Sequence, residues 1–130
     1  MRRTAIFASI YIVSFSAALA AELAPYIVVN ANAIPEPLID APPNPELGEA
    51  LMLGAGCAAC HQKDLNGVSQ RMTDGEIRLM IVAPEIRVPD TAMPAYYKVG
   101  IYGEAAEDQV GRTRLSAEEV EALISYLKTL

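Results

Sequence analysis

The chain has 130 residues, 52% of them hydrophobic, with ten Lys plus Arg against sixteen Asp plus Glu and a formal charge of -6. That length holds one modest domain, and the acidic balance excludes the broad basic face by which proteins bind nucleic acid. A surface of this sign serves solubility, or steering toward a partner of complementary charge.

At the start, Arg2 and Arg3 precede "TAIFASIYIVSFSAALA", an apolar run of seventeen residues without a charge. Ala18-Leu19-Ala20 ends it with a small-x-small cleavage pattern, so residues 1–20 read as a signal peptide for export, leaving no membrane attachment after cleavage. An uncleaved anchor is the alternative, since seventeen residues lie at the short end of what spans a bilayer. Without the two arginines the remaining chain has eight basic against sixteen acidic residues, a formal charge of -8.

Residues 21–44 form the next segment, and six of the nine prolines fall between Pro25 and Pro45. Proline lacks an amide hydrogen and fixes φ, so the spacing predicts an extended arm with little regular structure, to which "YIVV" adds at most one strand. No internal repeat is visible, which argues against a solenoid.

A compact unit over residues 45–130 follows. Asn44 suits a helix cap, Pro45 the first helical position and Glu46 the positive helix end, while Leu47, Ala50 and Leu51 share a face. Gly54 and Gly56 end that helix. Thr73 with Glu76 forms a capping box ahead of "IRLMIVA", a helix apolar on most sides that Pro84 stops. Ser116 with Glu119 forms another, and Val120, Leu123, Ile124 and Leu127 follow the helical stripe, predicting a last helix from about Ala117 to Lys128. Between the last two helices lies a long irregular span holding Pro89, Pro94 and three glycines, and a loop of that length usually has a function.

The two cysteines and the one histidine of the whole chain stand within five positions, in "CAACH", Cys57 to His61. Cysteines three apart on one helical turn can each form a thioether with a vinyl group on one edge of a porphyrin, and the next residue is then delivered beneath the iron. Cys57 and Cys60 are therefore expected to hold one covalent haem c, with the imidazole of His61 as axial ligand. A redox dithiol or half of a zinc site is the competing reading. Zinc needs more Cys or His than this chain owns, and no alternating strand and helix pattern surrounds the pair.

With no second histidine, the sixth ligand must come from Met, Lys, Tyr or backbone, and methionine is the usual choice. Met52, Met72 and Met80 read as core filler, whereas Met93 sits in the irregular span with Pro94 behind it, biased to an extended backbone that projects its side chain inward. Tyr96 and Tyr97 are candidates for the haem edge, against the reading that they are ordinary half-buried aromatics.

The order of these parts resembles a class I cytochrome c, an all-α fold in which a small helical domain surrounds one covalent haem. The resemblance implies that the last helix crosses the first, with Gly48 and Tyr126 as partners at a close crossing. More closely, "YIVVNANAIPEPL", "GCAACH", "GEIRLMIVAPEIRVPDTAMPAYY" and "GRTRLSAEEVEALISYL" resemble the SoxX family, the small monohaem subunit of the SoxAX cytochrome of bacterial thiosulfate oxidation. Met93 falls where that family has its distal methionine. One departure is a short segment after His61, "QKDLNGVSQRMTDG", with no proline; a carbonyl near Leu65 to Gly67 is expected to orient the imidazole.

The resemblance further implies a periplasmic electron carrier in a heterodimer with a SoxA-type cytochrome. It would accept electrons released when thiosulfate is joined to a cysteine of the SoxYZ carrier, and pass them to a small cytochrome c or another acceptor. Both cysteines are used by haem, so this subunit has no nucleophile of its own for the L-cysteine S-thiosulfotransferase reaction. The alternatives are a free-standing soluble monohaem cytochrome c shuttling between enzymes, and a haem protein with an open distal site for a small gas or peroxide.

Overall fold

The computed structural model describes residues 23–62, 64–100 and 110–130. The expected signal peptide and the first two residues of the arm lie outside them, as does the middle of the long irregular span.

Helix α1, Pro45–Gly54, begins where local chemistry dictates: the Asn44 side-chain oxygen accepts from the Leu47 amide at 3.1 Å, and Pro45 occupies a position that needs no amide hydrogen. Gly56, at φ 81°, takes the left-handed conformation that turns the chain into a second short helix, α2, Cys57–His61. A single turn, α3, Val68–Arg71, follows. Helix α4, Asp74–Val82, starts on Thr73, whose hydroxyl and amide exchange bonds with Glu76 in a complete capping box. Pro84 cannot continue it, and a 3₁₀ turn at Pro84–Ile86 takes over. Helix α5, Ala117–Leu127, has the same box built from Ser116 and Glu119.

The described residues form a small helical fold in which α1 packs across α5 and α4 packs on α5. Leu79, Val82 and Val120 have no exposed surface and fill the centre with Leu123, Ile124 and Leu127. Glycine at position 48 allows the α1–α5 crossing, because a Cβ there would run into the Ala122 carbonyl and lie 2.6 Å from the Tyr126 Cβ.

The proline-rich segment is irregular, yet it lies on the helices. The Ile34 amide donates to the Gly75 carbonyl at 2.9 Å, and the Ile34 side chain is 1% exposed. Arg78 of α4 donates to the carbonyls of Ile34 and Pro35, Glu121 of α5 accepts from the Leu38 amide, and the Asn44 amide donates to Ser125 Oγ. The strand allowed for at "YIVV" is absent among the described residues. Val29 instead closes a tight turn, its carbonyl accepting from both Asn32 and Ala33, with Asn30 and Ala31 at φ 52°.

Candidate functional site

A cleft of about 700 Å³ opens in the middle of the fold, lined by thirteen side chains whose exposed surface is almost wholly apolar. Met52 comes from α1, Cys57 and His61 from α2, Val68 from α3, Ile77, Met80 and Ile81 from α4, and Leu123 and Leu127 from α5; Leu65, Met72, Met93 and Tyr96 complete it. A second cleft of about 610 Å³ adjoins the first, lined by Gly56, Cys57, Cys60, His61, Thr91, Ala92, Met93, Pro94 and Tyr96. Cys57, His61, Met93 and Tyr96 line both. Together they make a slot with sulfur and imidazole donors at its walls and hydrocarbon at its end.

Each donor is set by its local backbone. Helix α2 puts Cys57 and His61 against both clefts and Cys60 against the second alone, where it is exposed, and both thiols are free. The Met93 amide donates to Thr91 Oγ1 at 3.1 Å, which turns the chain just ahead of Pro94. Beyond it, Tyr96 is tied to both flanking elements: its amide donates to the Ile81 carbonyl of α4, and its carbonyl accepts from Leu115, just ahead of α5, each at 3.0 Å. The segment bearing Met93 is thus hung between the two helices that wall the cleft.

The Tyr96 hydroxyl donates to the Ala55 carbonyl at 3.3 Å and accepts from the Cys57 thiol at 3.9 Å. Burial, with the Cys57 thiol adding to it, pushes this phenol up to about 12, so it stays protonated as a donor. The His61 ring is about one-third exposed, but its Nδ1 is buried and makes no hydrogen bond.

All four methionines of the described residues line the first cleft, including Met52, Met72 and Met80, which the sequence reading assigned to core. Only Met93 among them also lines the second cleft beside His61 and Cys60. Tyr97 parts from Tyr96. It is 4% exposed and lines neither cleft; its hydroxyl accepts from the Ala24 amide at 2.9 Å, and its ring lies 6.4 Å from that of Tyr26. Tyr96 and Tyr97 stand in a turn, in which one tyrosine faces the cleft and the next faces the arm.

Residues 45–130 match the protein family described as Cytochrome c. Among solved structures the chain is similar to the crystal structure of SoxXA from P. pantotrophus, with 26% identity, a TM-score of 0.69, and coverage of 80% of this chain and 93% of that one. No curated protein matched. The family implies covalent haem c, and the residues present suit it: two thiols and an imidazole on one short helix at the mouth of an apolar slot, with a thioether among the other side chains lining it.

Proposed function

This chain belongs to the cytochrome c family and has its electron-transfer role; within that role, we propose that it is the SoxX-type subunit of a sulfur-oxidising SoxAX complex. The likeness to SoxXA supports the proposal, because it spans 80% of the chain and therefore more than the helical domain that the family match covers. In this reading Cys57 and Cys60 would carry one haem, and His61 and Met93 would ligate its iron. When bound, haem c supplies a centre that alternates between ferric and ferrous states, one electron at a time.

The protein's own residues do the rest. Cys57 and Cys60 would fix the ring through two thioethers, the former thiol half-buried beside the Tyr96 hydroxyl. The hydrocarbon of Leu65, Val68, Ile77, Ile81, Leu123 and Leu127 excludes water from the inner part of the slot, which disfavours the more charged state. Cys60, exposed at the outer end, would hold a bound haem on the side open to solvent, the side from which an electron could enter or leave. With both cysteines occupied there is no thiol for attack on a sulfur substrate. The partner supplies that, and this subunit relays electrons from thiosulfate conjugation on SoxYZ toward a small cytochrome acceptor in the periplasm.

The test is co-purification. Tagged protein, exported with haem-maturation factors, is mixed with a SoxA-type cytochrome in moderate salt. A stable one-to-one complex supports the proposal; a monodisperse monomer that exchanges electrons with several partners in a salt-sensitive way identifies a free-standing shuttle instead.

A further inference from the structure

The loop after α2 answers differently from the expectation that a backbone carbonyl orients His61. The three carbonyls in question are engaged elsewhere: Leu65 accepts from the Val68 amide at 3.0 Å, Asn66 from Arg71 Nη1 at 2.8 Å, and Gly67 from the Gln70 amide at 3.1 Å. His61 Nδ1 is buried and has no hydrogen-bond partner. The acceptor it faces is a side chain, Asp64 Oδ1, at 3.4 Å.

We infer that Asp64 is the positioning residue of the haem-ligating histidine, its carboxylate accepting the His61 Nδ1–H where a carbonyl was expected. The inference rests on the reading of His61 as an iron ligand. The loop holds the backbone of Asp64 in place beside the imidazole, because the Asp64 amide donates to the His61 carbonyl at 2.9 Å and Arg71 Nη2 donates to the Asp64 carbonyl at 3.3 Å. Asp64 is thereby pinned from both sides of its backbone, while its exposed side chain keeps the freedom to rotate. At 3.4 Å the pair is a few tenths of an ångström longer than a made N–H···O bond, and the inferred bond requires the exposed carboxylate to turn toward Nδ1. An acceptor on Nδ1 sets the tautomer, leaving Nε2 for the iron, and it fixes the plane of the ring.

Charge is what separates a carboxylate from a carbonyl here. An anion on Nδ1–H draws the proton toward itself and makes Nε2 a stronger donor, which favours the ferric state and lowers the potential. The short segment after the haem histidine, with no proline, is then sufficient, because an i, i+3 side chain replaces a carbonyl brought from further along the chain.

The experiment compares wild type, Asp64→Asn and Asp64→Ala, each exported with covalent haem, by visible spectroscopy, potentiometric titration and exchange of the His61 Nδ1–H proton in the reduced protein. Asp64→Ala is expected to exchange that proton at least tenfold faster. It should also shift the ferrous-to-ferric ratio at fixed potential about tenfold toward ferrous, equivalent to about 59 mV for one electron. Asp64→Asn keeps an acceptor without its charge, so the proton stays protected while the potential still rises. Unchanged exchange and potential in Asp64→Ala, with the low-spin spectrum intact, would overturn the inference and leave His61 as ligand. A wild-type protein without a covalent low-spin spectrum overturns both.

Discussion

The Arg78 guanidinium meets the Glu121 carboxylate through two bonds, 2.7 Å from Nε and 2.8 Å from Nη2, at a place where the arginine is only 3% exposed. The same guanidinium holds the Ile34 carbonyl at 2.7 Å and the same carboxylate holds the Leu38 amide at 2.9 Å. One ion pair therefore ties α4, α5 and the proline-rich segment together. Glu121→Ala leaves a buried cation without its anion and is expected to cost about 3–5 kcal/mol, read from denaturant unfolding of the haem-bound protein. Arg78→Met combined with Glu121→Leu should recover much of that loss, since no charge is then left unpaired. A single-mutant cost below 1 kcal/mol would show that water reaches the pair.

Gly48→Ala should destabilise by about 1–3 kcal/mol through overpacking, because the new methyl would stand 2.6 Å from the Tyr126 Cβ and against the Ala122 carbonyl. Gly54→Ala, on the same helix with nothing within 4 Å of the added Cβ, provides the contrast. It should be neutral or stabilising, as alanine is the better helix former. Equal losses at both positions would refute the close crossing as the cause.

Among the methionine replacements, Met93→Ala is expected to keep covalent haem, since the thioethers do not depend on it, and to lose the weak sulfur-to-iron band at the red end of the ferric spectrum. Met52→Leu, Met72→Leu and Met80→Leu should each keep the band, at a stability cost below about 1.5 kcal/mol. Loss of the band in one of those three instead would move the ligand to that position.

The Glu76 carboxylate accepts from the Thr73 amide, the Asn32 side chain and the Thr73 hydroxyl, and these bonds hold it at about 2, well below its ordinary 4.5. A lowered carboxylate stabilises the fold fully above its unfolded value. That contribution is lost as pH falls through the folded one. Unfolding free energy should therefore decline between about pH 4.5 and pH 2, and Glu76→Gln should flatten that part of the profile. An identical profile in the variant would assign the acid lability to other carboxylates.

The three principal helices were legible because their start signals are local: Asn44 with Pro45, Thr73 with Glu76, and Ser116 with Glu119 each act within four residues, and each forms in the structure. The Cys57, Cys60 and His61 motif is local in the same way, confined to five positions. Arg78 was not, since an arginine amid "IRLMIVA" is buried only through a carboxylate 43 residues further on. Docking of the segment before α1 escaped notice likewise, its bonds running from Ile34 and Leu38 to α4 and α5. Nor does adjacency in sequence tell which of Tyr96 and Tyr97 faces the cleft; that depends on Ile81 and Leu115 gripping the backbone of Tyr96. Met52 is core, as its place on α1 suggests, but that Met52, Met72 and Met80 also share one cleft depends on chain segments distant in sequence meeting there.

The crossing of α1 and α5 joins the two ends of the domain around everything between them. A chain that emerges N-terminus first therefore displays Cys57, Cys60 and His61 well before the helix that shuts the slot, which begins roughly sixty residues further on at Ala117. Contacts so distant in sequence are slow to form, because loop closure must precede any gain from burial. The thiols thus have an interval of exposure during biogenesis. On the proposed haem-binding reading, attachment of the porphyrin would fall in that interval, and the C-terminal helix would close afterwards as a latch.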